Sequence, residues 1–214
     1  MPNYNDLIAV KGTVGSIRNW VNNDEVPAAT IVTEAEAWIY QRLRVREMIA
    51  RVTGTLTTSI DNIPLPADYQ DSVKFMFTAT ATTAKFSPSF KPLSDVLDAW
   101  NYDGTARATG LPRYWGLTGT SIQFNDPADR NYPWHLEYYR IPPALSTATA
   151  SSTNFLTSRY PKMLRAACAA GAYEWLRNEK EKIYWQSVAA REIADASRTA
   201  DLAYAGSDMT MEIV

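Results

Sequence analysis

Residues 110–145, GLPRYWGLTGTSIQFNDPADRNYPWHLEYYRIPPAL, form the clearest block of β-strand sequence in the chain, between segments with mostly helical patterns. Residues 113–117 are rich in aromatic side chains, 118–120 have the composition of a turn, and 121–125 alternate apolar and polar residues. This order predicts a hairpin. After a second turn at 126–129, the chain alternates again from Pro133 until Pro142 and Pro143 end the ladder. The block therefore predicts a half-buried antiparallel meander.

The composition limits the class of protein. The 214 residues are 46% hydrophobic and 12% aromatic, enough to fill one large core or two small ones. A net charge of −2 and a pI of about 5.5 exclude the overall basic field that drives binding to nucleic acid or anionic membranes. The sequence has neither an apolar run of about 20 residues nor a secretory N-terminus. We therefore expect a protein that is made in a cytoplasm and has no membrane partner.

Two helices are predicted before the β-rich region. Over residues 5–21, apolar side chains recur at spacings of three and four, which indicates one helix with an apolar face. Thr33 followed by Glu36 has the pattern of a capping box, which predicts a second helix over residues 34–51. Past Gly54 the periodicity changes to two, which indicates strands.

A single long helix is predicted near the C-terminus. From Pro161, a first-turn residue, a helical pattern that includes Ile183 continues to about Tyr204, and Gly206 ends it. At about 1.5 Å per residue, such a helix is roughly 65 Å long. The alanine-rich run at 166–172 allows another helix to approach closely.

The last eight residues, SDMTMEIV, alternate apolar and polar side chains. Such a tail suits strand addition to a sheet of another chain, and the alternative is a terminus without regular structure. Together these patterns predict an α+β protein with a helical bundle, a long C-terminal helix, a β-rich antiparallel insertion and an extended C-terminal arm. The predicted parts are an N-terminal helical part (1–53), the β-rich insertion (54–145), a connector with the long helix, which packs on the N-terminal helices (146–206), and the arm (207–214).

Few residues suggest catalysis or metal binding. His135 is the only histidine, so one chain cannot build a two-histidine metal site. With Glu137 it is a candidate acid–base pair, and the alternative is a solvent-facing cross-strand pair. Cys168 lies in the alanine run, where cysteine behaves as a small hydrophobe, and Asp126 and Asp129 have the spacing of a turn rather than of a calcium loop. We therefore predict no enzyme activity, no cofactor and no metal site.

The aromatic residues leave one alternative function open. Seven tryptophans and twelve tyrosines can form a stacking surface for sugars or anchor a core and interfaces. Under the first interpretation the chain is a carbohydrate- or receptor-binding structural protein, and Trp115 and Trp134 are its candidate exposed aromatics.

Several local motifs occur in a fixed order along the chain: IYQRLR at 39–44 followed by Met48, LPADY at 65–69, GLPRYW at 110–115, LEYYRIPPALS at 136–146, and TNFL at 153–156 before the alanine-rich helix. In this order and spacing they resemble the head-to-tail adaptor (head completion) proteins of tailed bacteriophages. The resemblance implies a structural, non-enzymatic protein of the virion.

Adaptors of this kind form a ring of about twelve copies beneath the dodecameric portal, extend the DNA channel and present a surface to tail or nozzle proteins. The resemblance thus implies location at the head–tail junction after synthesis in the host cytoplasm, with genomic DNA passing through without specific binding.

The resemblance also suggests which residues serve assembly. Charged residues of the long helix are expected to contact neighbouring copies: Arg177, Lys180, Glu181, Arg191 and Glu192. The arm is expected to bind the portal through its apolar residues: Met209, Met211, Ile213 and Val214. Trp115 and Trp134 are candidates for a tail-facing aromatic surface.

Overall fold

The computed structural model describes residues 3–78, 84–98, 109–145 and 153–207, with only the main chain described for Asp98 and for residues 201–207. The chain divides into a helical unit, Met1–Met48 with Pro142–Val214, and a β-rich unit, Ile49–Ile141. The predicted α+β class is confirmed. The predicted arm residues Met209, Met211, Ile213 and Val214 lie outside the described part of the chain.

The helices are α1 (Tyr4–Ile8), α2 (Ile17–Trp20), α3 (Ala28–Arg42), α4 (Leu93–Asp98), α5 (Phe155–Arg159), α6 (Pro161–Trp175) and α7 (Glu179–Ser207), with a 3-10 turn at Arg46–Met48. The strands are β1 (Ile49–Leu56), β2 (Asn62–Pro64), β3 (Tyr69–Phe77), β4 (Ser89–Phe90), β5 (Tyr114–Leu117), β6 (Ser121–Phe124) and β7 (Tyr132–Arg140).

The N-terminal helices differ from the prediction. The predicted helix over 5–21 is wrong: it is two short helices joined by a loop in which Gly12 and Gly15 have φ of 99° and 97°. Those angles favour glycine and do not belong to a right-handed helix. The predicted helix over 34–51 begins earlier, at Ala28, and ends at Arg42, so Thr33 lies inside α3 and its hydroxyl donates to the Ala29 carbonyl.

The predicted long C-terminal helix is confirmed as α7, which has 29 residues. Its predicted start at Pro161 is wrong, because the chain reverses after Trp175 and α6 packs against α7 as a helical hairpin. The core of the helical unit lies between this hairpin and α3. The buried small residues of α6 allow a close approach there, and a Cβ added at Gly171 would lie 3.1 Å from Ile31 Cγ2.

The β-rich unit has two sheets. One has the antiparallel order β1-β7-β3, and the other has the order β2-β6-β5-β4, in which only β4 and β5 are parallel. Aromatic side chains from both sheets share one core: Phe75 in β3 lies 5.8 Å from Trp115 and 5.6 Å from Phe124, between ring centroids.

The predicted hairpin is confirmed as β5 and β6, with Trp115 opposite Phe124. The predicted meander is wrong, because β7 does not pair with β6 and instead forms the centre of the other sheet. The segment between β6 and β7 is held by contacts with more distant residues rather than by those of a tight turn. The Asn125 side chain accepts hydrogen bonds from the Arg113 and Tyr114 amides, at 3.0 and 2.9 Å, and Ala128 bridges back to Gly110.

Candidate assembly surface

The turn between α6 and α7 positions the exposed end of the helical hairpin. Arg177 has a left-handed φ of 56°, its amide donates to the Glu174 carbonyl, and the Asn178 amide donates to the Tyr173 carbonyl. This is the hydrogen-bond pattern of a Schellman motif, with arginine where glycine is usual. The Asn178 side chain then accepts from the Glu181 amide at 3.3 Å and so caps the start of α7.

An ion pair fixes the two helices beside this turn. Lys182 Nζ lies 3.0 Å from Glu174 Oε1 on α6 and 3.7 Å from Glu179 Oε1 on α7. The hydrogen bond to Glu174, followed by the charges of both carboxylates, raises the pKa of Lys182. The end of the hairpin is therefore held by backbone caps and by a cross-helix ion pair.

One face of α7 is exposed along much of its length. We call it the outer face of α7, and its members are Ile183, Tyr184, Ser187, Ala190, Arg191 and Ala194. Ile183 is 58% exposed and Tyr184 57%, and Trp175 at the end of α6 is 44% exposed. Such a group of large apolar side chains in water is typical of a surface that another protein covers.

The helical pattern in the sequence includes Ile183, but the exposure of these apolar residues was not predicted. The inward positions of α7 are instead occupied by Ala189, which is fully buried, and Ile193. The sequence does indicate that a large side chain is exposed here. Ile183, Tyr184 and Trp185 are consecutive, and three neighbouring large side chains cannot all face one side of a helix.

The predicted inter-subunit residues differ in their exposure and in their contacts within the chain. Arg177, Lys180 and Arg191 are exposed, and Glu181 is half-buried. Glu192 already forms an ion pair within the chain, because its Oε1 lies 2.6 Å from Lys162 Nζ on α6. Four of the five are thus on the surface near the turn or on the outer face of α7, and Glu192 lies towards α6.

A buried polar cluster connects α3 with the chain on both sides of residues 146–152. Glu36 is 1% exposed, and its carboxylate accepts hydrogen bonds from the Leu145 amide at 3.0 Å, Asn154 Nδ2 at 2.9 Å and the Tyr40 hydroxyl at 3.2 Å. Burial raises the pKa of Glu36, against the effect of these hydrogen bonds. Asn154 also caps α5 by accepting from the Thr157 amide. The cluster is structural.

His135 is placed differently from the prediction. It is 5% exposed in the central strand β7, so the expected solvent-facing pair is wrong, and its Nδ1 has no hydrogen-bond partner among the described residues. Burial, followed by the positive charge of Arg51, lowers its pKa, and Glu137 opposes this shift. Glu137 lies in register with Arg51 on one side and Lys74 on the other. Arg51, Glu137 and Lys74 therefore form a row of alternating charge across the sheet, next to the neutral, buried imidazole of His135.

The remaining candidates for chemistry are buried or have protein partners. Cys168 is fully buried in α6, and burial raises the pKa of its thiol, so it is not an activated nucleophile. Asp129 accepts a hydrogen bond from the Tyr132 hydroxyl at 2.5 Å, and this bond lowers its pKa. Asp126 accepts from the Asn125 side chain. No group of three or more His, Cys, Asp and Glu side chains in the described ranges is placed to hold a metal ion.

The predicted aromatic surface is wrong, because Trp115 and Trp134 are core residues. They are 5% and 8% exposed, and Trp115 Nε1 donates to the Pro88 carbonyl at 3.2 Å. Trp134 covers Gly54 on the neighbouring strand so closely that a Cβ there would lie 2.6 Å from its ring. Neither indole is available to stack on a sugar. In addition, none of the described helices is long and apolar enough to cross a membrane.

Comparison with known proteins gives one match that covers almost the whole chain. A family model described as SU10 adaptor protein matches residues 4–211. No curated protein matches the sequence.

Proposed function

We propose, because the chain belongs to the SU10 adaptor protein family, that it assembles as a ring beneath the portal of a tailed bacteriophage. The family is one of phage structural adaptor proteins, which is not an enzyme class. In this proposal the ring extends the channel through which DNA leaves the head, and its far side is the surface to which tail or nozzle proteins attach. The family match over residues 4–211 is the observation that carries the proposal.

The exposed face of the α6–α7 hairpin supports assembly between copies. A closed ring requires two different surface patches on each subunit, since every copy contacts one neighbour with each patch. We propose that four charged residues contact a neighbouring copy: Arg177, Lys180, Glu181 and Arg191. Glu192 contacts the neighbour as well, in addition to its ion pair with Lys162 within the chain. Exposed ion pairs contribute at most about 1 kcal/mol each, so they select the orientation of neighbours more than they add affinity.

The C-terminal residues are the proposed link to the portal. Met209, Met211, Ile213 and Val214 follow α7 directly in sequence, and the alternation of apolar and polar residues suits strand addition to a portal sheet. Binding of each arm to one portal subunit would align neighbouring adaptors, so the portal acts as the template on which the ring closes. A net charge of −2 is compatible with a channel along which DNA slides without specific binding.

Native mass spectrometry of the full chain, alone and after mixing with the portal ring encoded in the same genome, tests this function. We expect a monomer alone and about one added adaptor per portal subunit in the mixture, so about twelve on a dodecameric portal. A portal mass that does not change at micromolar adaptor would show that the chain is not a portal-binding adaptor.

A further inference from the structure

The two described sheets end in four edge strands, and β1 is the one without protection against pairing. β3 has two register shifts in its pairing with β7, β2 has three residues and ends at Pro64, and β4 has two residues. Bulges, proline and short length are the usual features that keep an edge strand from pairing with another chain. β1 has eight residues in continuous register with β7 and contains no proline. Among the described strands only β7 pairs with β1, so the other edge of β1 is open to pairing.

An apolar cleft lies beside β1, between it and β2 of the other sheet. The cleft has a volume of about 380 Å³, and none of the described residues that line it is charged. The indole of Trp134 lines the cleft and packs against Gly54 of β1. Trp134 is 8% exposed, and its Nε1 has no hydrogen-bond partner among the described residues. A buried donor without a partner costs free energy, so the cleft suits an occupant that is apolar and carries an acceptor.

The two sides of β1 differ in chemistry. Val52 and Gly54 line the cleft, whereas Arg51 is exposed on the other side of the strand. Arg51 is the only charged residue of β1, and it forms no ion pair within the ranges that the structure describes. Glu137 on β7 lies between Arg51 and Lys74, so this row has one more cation than anions. A strand at the open edge therefore fits best with an apolar side towards the cleft and an anion beside Arg51.

The C-terminal tail has this pattern. Residues 208–214, DMTMEIV, follow α7, and the apolar side chains at 209, 211 and 213 alternate with polar ones at 208, 210 and 212. Because this alternation has a period of two, the register decides which side faces the cleft. Antiparallel pairing with Glu212 opposite Arg51 keeps all seven tail residues along β1 and places the side chains at 209, 211 and 213 towards the cleft. Parallel pairing with the same contact leaves the first two tail residues beyond the start of β1.

We infer that the C-terminal tail of one copy adds as an antiparallel strand to the β1 edge of a neighbouring copy, with Glu212 opposite the neighbouring copy's Arg51. In this register Met209 lies opposite Gly54, where β1 has no side chain that obstructs the cleft. The thioether sulfur of Met209, a weak acceptor, then comes near the unpartnered Trp134 Nε1. The tail and the β1 edge are different surfaces, so the contact is heterologous and compatible with a ring.

The inference goes beyond the proposed function, in which the tail binds the portal, and it rests on that function in that neighbouring copies meet in a ring. A strand within a sheet forms hydrogen bonds along both of its edges. A tail that pairs with β1 along one edge therefore still presents its other edge to a portal sheet. The two contacts of the tail do not exclude each other.

Disulfide cross-linking in the full chain mixed with the portal tests the contact. Thr53→Cys and Thr210→Cys, which lie opposite each other in this register, are combined in one chain, and Cys168 is kept because it is fully buried. After oxidation we expect a ladder of multimers on a non-reducing gel, since each subunit links to two neighbours. The matched control combines Thr53→Cys with Met211→Cys, on the other side of the tail. Its yield of multimers is expected to be at least about fivefold lower, because the two Cβ atoms then point to opposite faces of the sheet.

The outcomes separate the inference from the proposed function. Equal multimer yields from the two cysteine pairs would show that the tail does not pair with β1 as a strand, which overturns the inference. A disulfide within single chains would place the tail on its own β1 and also overturns it. A portal that gains adaptor mass without giving the ladder overturns the strand addition and leaves the adaptor function intact. A ladder without any gain in portal mass supports the strand addition and contradicts the portal-binding function.

A charge reversal in the same cysteine background provides a second measurement. Arg51→Glu and Glu212→Arg are each expected to lower the yield of multimers at least about threefold, and their combination is expected to restore it to within about twofold. Lys74→Glu is the control, since it reverses a charge on β3, which β7 separates from β1, and should leave the yield within about twofold. No recovery in a folded double variant would show that Arg51 and Glu212 are not opposite each other in the assembly.

Discussion

The side chain of Glu36 connects three segments of the chain by hydrogen bonds. It lies on α3 among buried apolar residues, where a carboxylate is stable only if its oxygens accept hydrogen bonds. The donors come from α3 itself, from Leu145 and from Asn154. The carboxylate therefore fixes the chain on both sides of residues 146–152 against α3.

Glu36→Gln is expected to lower the free energy of unfolding by about 2 kcal/mol. The NH₂ group of the glutamine amide cannot accept, so at least one of the three buried donors loses its partner. Urea denaturation of both proteins measures the difference. Glu34→Gln is the control, since Glu34 is exposed on the same helix and should change stability by less than about 0.5 kcal/mol. An equal or greater stability for Glu36→Gln would mean that the cost of burying the carboxylate outweighs its hydrogen bonds.

His135 makes the stability of the fold sensitive to acid. Its folded-state pKa is below the ordinary 6.5 because of burial, so the folded protein binds this proton less readily than the unfolded chain. The contribution of His135 to stability is therefore complete above pH 6.5 and is lost as the pH falls towards the folded-state pKa, with a slope of at most about 1.4 kcal/mol per pH unit.

His135→Gln should remove this slope from unfolding free energies measured in urea between pH 7.5 and about 5.5. Because the chain has one histidine, the difference between the two pH profiles reports this residue. A profile with the same slope in both proteins would show that His135 titrates normally in the folded state.

At the scale of elements, the break between α6 and α7 shows why the helical part was harder to predict than the strands. Residues 161–204 have helical periodicity throughout, and Arg177 carries none of the glycine signal that usually ends a helix. The Schellman hydrogen bonds and the packing of α7 on α6 stabilise a left-handed arginine there, and neither is visible in a local pattern. By contrast, the alternation along β7 is local, and it correctly predicted a strand there.

The partners of the strands could not be predicted in the same way. The sequence predicts that β7 is a strand, but its position between β1 and β3 depends on contacts with residues about 60 to 90 positions earlier in the chain. The burial of Trp115 and Trp134 also depends on distant residues, since both lie in the aromatic core that the two sheets share, and His135 lies between β1 and β3, opposite Thr53 and Met76. The motifs indicated the family correctly because motif order does not depend on these contacts.

Arg177→Gly is expected to stabilise the protein by about 1 kcal/mol, because glycine adopts the left-handed conformation without the steric cost of a Cβ. Thermal or urea unfolding measures the change. The control, Arg191→Gly, places the same substitution inside α7 and should destabilise by about 1 kcal/mol. Loss of stability in both variants would show that the Arg177 side chain contributes more to the turn than its conformation costs.

At the scale of the whole molecule, the proposed function is assembly of a ring on a template, the portal. Several weak contacts in a closed ring add up once each copy is also bound to the portal. Under this proposal, rings are not expected to close before the portal is present, since free subunits lack the second attachment.

In the proposed function, the second attachment is the binding of the alternating C-terminal tail to the portal. This binding can be tested separately from the contact between neighbouring copies. Met211→Asp replaces an apolar side chain on one side of the alternating tail with a charge, and portal binding should weaken at least about tenfold. Thr210→Asp adds the same charge on the other side and should bind within about threefold of the unmodified protein. Deleting residues 207–214 should abolish binding while the helical circular dichroism remains, because α7 ends at Ser207. If the two aspartate variants bind equally, the tail does not attach as a strand with one apolar side, and the portal must be recognised by another surface.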